Sequence, residues 1–112
     1  MPNDTEKETQ DLIQRDFGLA TTGEELDQEE FFDLLADQVA YMIERNLEEL
    51  LSLMYRMDIN EAKVHRALNP GNPEPANVAI AKLVMERQKQ RVETKRHYKQ
   101  DPLDDLDEEL KL

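Results

Sequence analysis

The stretch DQEEFFDLLADQVAYMIERNLEELLSLMYR, residues 27–56, decides the fold. Stepping 100° per residue puts Phe32, Leu35, Val39, Met42, Ile43, Leu47, Leu50, Leu53 and Met54 on one broad apolar face. Asp33, Asp37, Glu44, Arg45, Glu48 and Arg56 fall on the other. The start is marked by Asp27 as a cap with Glu30 three residues on, and by Leu26 and Phe31 as a hydrophobic staple. The pattern predicts one unbroken helix over residues 28–56, roughly 43 Å long at 1.5 Å per residue.

A second, short helix follows over residues 59–68, with Asp58 and Glu61 as a capping box and Ala62, Val64, Ala67 and Leu68 as its apolar contacts. Asn69-Pro70-Gly71 ends it, since proline disfavours helix in the residue before it and glycine tolerates the left-handed turn. Three prolines between 70 and 75 make a stiff connector. A third helix covers residues 74–100 and stops at Asp101-Pro102. Its first half is apolar almost all round, from Ala76 to Met85, and requires burial on several sides. After Glu86 only Val92 and Tyr98 remain apolar, so the second half is expected to leave the core or lie along a partner. The expected fold is all-α: a small three-helix domain, long–short–long, over residues 27–100. An acidic N-terminal segment, residues 1–26, is expected to be partly ordered, with one amphipathic turn from Leu12, Ile13 and Phe17. Residues 101–112 form an acidic tail expected to be disordered.

Composition bounds the function. The chain has 112 residues with 14 Lys and Arg against 26 Asp and Glu, a net charge of −12. It has no Cys, which removes disulfides, thiolate zinc sites and cysteine catalysis. Its start is polar and acidic, unlike a signal peptide, and no uncharged stretch is long enough to span a membrane. Soluble, cytoplasmic residence is the expectation.

Charge is unevenly placed: residues 1–30 carry net −8, 31–75 net −4, 76–100 net +5 and 101–112 net −5. The basic block contains Arg87, Arg91 and Lys95 at i, i+4 and i+8, one helical face able to touch the phosphates of a polyanion. Nucleic acid is nevertheless an unfavoured partner, because no helix-turn-helix signature accompanies these bases and the chain's own acids compete. Leu103, Leu106 and Leu110 give the tail an apolar edge. It reads as a solubilising tail, a mask folded on the basic helix, or a short helical ligand.

Catalytic signals are weak. Asp16-Phe17-Gly18 spells a kinase triplet without the rest of that fold. Glu29, Glu30 and Asp33 resemble half of the acidic motif of all-helical nucleotide pyrophosphohydrolases, but no second acidic pair completes a magnesium site, and acids in a first turn stabilise the helix dipole anyway. Glu61 and His65 are one turn apart and occur once, where a di-metal bundle needs two such pairs. Ser52 is the only serine. The reading is therefore no enzyme, no catalytic residue, no metal and no cofactor, with magnesium-dependent nucleotide hydrolysis through Glu29, Glu30 and Asp33 as the remote alternative.

The helix lengths are mismatched. A short helix and half of a third cannot cover the whole face of the first, so the remainder must meet the N-terminal segment, a second copy or another protein. A homodimer is the simplest solution. Leu35, Val39, Met42, Asn46, Leu50 and Met54 are the candidate interface. Asn46 sits inside the apolar stripe either as a buried register-fixing residue or at its solvent edge. The expected function is a non-enzymatic helical protein–protein interaction module, expected to be homodimeric on that geometric argument. The alternative is a small nucleic-acid-associated regulator using the basic helix. Tyr55-Arg56-Met57-Asp58-Ile59, Glu61, Lys63 and Met85-Glu86-Arg87-Gln88 together resemble a group of short, uncharacterised helical bacterial proteins over residues 31–98. The resemblance implies a bacterial cytoplasmic origin and carries no activity, ligand or site.

Overall fold

The computed structural model describes residues 4–19 and 26–100. The acidic tail at 101–112 lies outside these, as do the masking and ligand readings attached to it. The described residues form five helices rather than three: α1 (Asp4–Phe17), α2 (Gln28–Arg45), α3 (Leu47–Arg56), α4 (Glu61–Leu68) and α5 (Ala76–Gln100).

Two corrections account for the extra helices. The N-terminal segment supplies a four-turn helix, not a single turn. It packs along α5 and touches α2, burying Thr9, Gln10, Ile13 and Phe17. The expected first helix is broken at Asn46, whose backbone sits at φ −155° and ψ 53°. Asn46 is exposed in the single chain, not buried within it, and its side chain caps nothing. Asparagine is a poor interior helix residue because its amide competes with the backbone.

The helix ends show why local chemistry stops each element. Asp27 Oδ1 accepts the Glu30 N–H at 2.8 Å and opens α2. That bond, first among the causes, holds the Asp27 carboxyl below its ordinary value. The end of α3 is a Schellman turn: the Ile59 N–H donates to Met54 O at 3.1 Å and the Asp58 N–H to Tyr55 O at 3.0 Å. Asp58 occupies the left-handed position at φ 59°, a place glycine fills more easily. Gly18 does fill it after α1, at φ 61°, with Leu19 N–H donating to Gln14 O at 3.1 Å. Asp58 is thus a terminator of α3 rather than the expected cap of the next helix. Asn60 is that cap, its Oδ1 accepting from Ala62 and Lys63 at 2.8 and 3.3 Å. The connector to α5 is built on side-chain turns, with Asn69 Oδ1 accepting from Gly71 and Asn72 Oδ1 accepting from Glu74.

The core is shared by α1, α2, α3, α4 and the first half of α5. Phe31, Leu35 and Val39 from α2, Leu50 and Met54 from α3, Val64 and Ala67 from α4, and Ile80, Ala81 and Val84 from α5 are all buried with Ile13 and Phe17. Asn77 Nδ2 donates to Ala36 O at 3.2 Å and ties α5 to α2. The second half of α5 does not leave the fold. α1 lies along it, Val92 is buried, and Arg96 Nη2 donates to Glu8 Oε1 at 2.9 Å.

Candidate functional site

The structure disperses the expected interface. Leu35, Val39, Met42, Leu50 and Met54 are buried inside a single chain, and Asn46 is exposed at the break. α5, with α1, covers the face that α2 was expected to leave open, so the five buried residues offer no surface to a partner, and Asn46 stands exposed without them. This correction follows from α1, the covering element that sequence periodicity underestimated.

A different apolar face is exposed. Leu47, Leu51 and Tyr55 follow one another at i, i+4 and i+8 along the outside of α3, with 40%, 40% and 77% of their surface open. Tyr41, near the end of α2, is 58% exposed. No other large hydrophobic side chain among the described residues is comparably open. Leu50, Leu53 and Met54 point inward from the same helix. Six of its ten residues are Leu, Met or Tyr, too many for one buried stripe.

The basic face is also rearranged. Arg87 is engaged at the α3–α4 turn, its Nε donating to Met57 O at 2.9 Å and its Nη2 lying 3.7 Å from Asp58 Oδ2. Lys95 lies beside Glu8 and Asp11 of α1, along a cleft that also includes Arg15 and Arg91. Arg91 extends from that cleft into a neighbouring one of about 350 Å³ between α1, α3 and α5. Arg15 and Arg56 join it there, with Asp16 and Gln88. Gln88 is almost wholly buried. Its amide Nε2 donates to Asp16 Oδ2 at 3.2 Å, and its Oε1 accepts from Arg91 Nη1 at 3.3 Å. Arg87, Arg91 and Lys95 therefore do not act as one patch: the first belongs to a separate cleft.

Sequence reasoning missed Arg15, Arg56 and Gln88. Gln88 had a usable signal, since it continues the buried Val84–Gln88–Val92 register of α5 as a polar member of an apolar row. The arginines had none, because their convergence depends on α1 packing against α5. The remaining sequence candidates stand apart: Glu29, Glu30 and Asp33 are exposed on α2, and Glu61 and His65 on α4. Among the described residues no group of three or more His, Asp or Glu is placed to hold a metal ion. None of their helices is long and apolar enough to cross a membrane.

Comparisons with family models, with curated proteins and with solved structures gave no match.

Proposed function

We propose that the chain is a non-enzymatic helical protein–protein interaction module that pairs with a second copy of itself through the outer face of α3. The observation that carries this reading is the Leu47–Leu51–Tyr55 row, exposed on a helix whose other side is already packed. The row is symmetric about Leu51. Two copies of α3 laid antiparallel on a two-fold axis there place Leu51 on Leu51 and each Leu47 on the other copy's Tyr55, as an isologous contact requires. Antiparallel pairing sets the two helix dipoles head to tail, each N-terminal end beside the other copy's C-terminal end. The row presents three large, mainly apolar side chains on a single helical face, the kind of anchor an interface core uses.

Nucleic acid fits less well. The net charge is −12, and Arg87 and Arg96 of the basic helix are held inside the chain by hydrogen bonds to Met57 O and Glu8 Oε1.

Solution mass by light scattering tests the reading. The expected mass is twice the chain's 13.1 kDa, falling to that of one chain in Leu51→Lys while the helical content is unchanged. A monomeric wild-type chain would remove it.

A further inference from the structure

We infer that the cleft between α1, α3 and α5 binds a small molecule bearing a phosphate group. Three guanidinium groups reach this cleft from three different helices: Arg15 from α1, Arg56 from α3 and Arg91 from α5. The three converge although the chain as a whole carries a net charge of −12.

The partners within the chain leave these arginines with capacity to spare. Arg15 Nε stands 3.8 Å from Asp16 Oδ1, and Arg56 Nη2 stands 3.6 Å from Glu49 Oε1. A charge-assisted hydrogen bond from nitrogen to carboxylate is normally about 2.7–2.9 Å long. Both pairs are therefore loose ion pairs across solvated surface, of little net worth. Arg91 makes one contact of 3.3 Å to a neutral amide. Each guanidinium carries five donors in a rigid fork matched to phosphate oxygens.

Gln88 gives the cleft a fixed floor. It is 1% exposed, and it spends its donor on Asp16 and its acceptor on Arg91. This orients one acid and one base together at the base of the cleft. The lining residues, three arginines and one aspartate, carry a net +2, with Glu49 beside Arg56 just outside the cleft. A phosphate monoester carries about −1.5 to −2 at neutral pH and presents three acceptor oxygens, so it answers both the charge and the number of donors. A single carboxylate would satisfy one fork only. The cleft's volume of about 350 Å³ lies at the lower end of ligand pockets, which suits a small molecule rather than a polymer strand.

The test is calorimetric titration of the full chain with inorganic phosphate at low salt, in a buffer free of other anions of that class. Saturable binding at millimolar concentration is expected, with a rise in melting temperature. Arg15→Gln and Arg56→Gln should each weaken it about tenfold. Their side chains are 73% and 66% exposed, so both variants keep the fold, which thermal melting checks directly. Lys63→Gln, which removes an exposed cation outside the cleft, should leave affinity unchanged. The proposal is overturned by an absence of saturable binding, or by equal losses in Lys63→Gln. It is also overturned if succinate binds as well as phosphate, or if duplex DNA binds more tightly than phosphate through the same two arginines.

Discussion

α2 and α3 descend from one continuous apolar pattern, yet they end in opposite situations. α2 turns a single stripe inward, where Phe31, Leu35, Val39 and Met42 are buried under α1 and α5. α3 buries Leu50, Leu53 and Met54 and shows Leu47, Leu51 and Tyr55 to solvent. The difference lies in what packs around each. α2 has two long neighbours, whereas α3 continues directly from α2 and meets the other helices only slightly. A helix with fewer neighbours and more apolar residues than one face can hide presents its surplus outward.

The largest expected effect sharpens this contrast at adjacent positions. Leu50→Ala should cost about 2–5 kcal/mol through a core cavity. Leu51→Ala should cost a protomer no more than about 0.5 kcal/mol, measured by urea unfolding at dilutions where any dimer has come apart. Comparable losses at both would mean that α3 has no outer face. Ile13→Ala belongs with Leu50→Ala, at about 2–5 kcal/mol, because α1 is part of the core that covers α2. A negligible loss there would reopen the α2 stripe to a partner.

Smaller effects probe the boundaries of α3. Asn60→Ala should cost about 1 kcal/mol, since it removes a cap that accepts two N–H groups. Asn46→Ala should change stability by less than about 0.5 kcal/mol, because its side chain caps nothing. Asp58→Gly should stabilise by about 0.5–1 kcal/mol by relieving the left-handed backbone at the end of α3. The smallest effect is one of pH. The folded-state pKa of Asp27 is lowered, so its cap contributes fully above the ordinary value of 3.8 and is lost as pH falls below it. The stability difference between wild type and Asp27→Asn should therefore change between about pH 5 and pH 3 and be constant above that range.

Much of the helical content was legible in residues 27–100. The apolar period of α2, the Asp27 cap and the proline-rich connector all act locally, and local signals survive into the structure. The break at Asn46 was not legible, because a poor helix residue inside a strong pattern is broken or kept according to what the flanking turns must bury. Nor was the extent of α1. Its apolar residues are few, and Ile13 and Phe17 gain their weight only from α5, far away in sequence. That same gap misplaced the candidate interface onto Leu35, Val39 and Met42, which α1 and α5 cover. The basic row was legible as residues but not as a site, since Arg87 turns toward Met57 while Arg91 meets Arg15 and Arg56.

The absence of native cysteine allows the central claim to be tested at a single position. Leu51→Cys and Asp37→Cys each place one thiol on an exposed helical surface, the first on the α3 row and the second on α2, away from it. Under mild oxidation Leu51→Cys is expected to form a disulfide-linked dimer rapidly and to near completion, while Asp37→Cys stays largely monomeric. Equal, slow cross-linking of the two variants would contradict the assignment of the outer face of α3 as the surface where two copies meet.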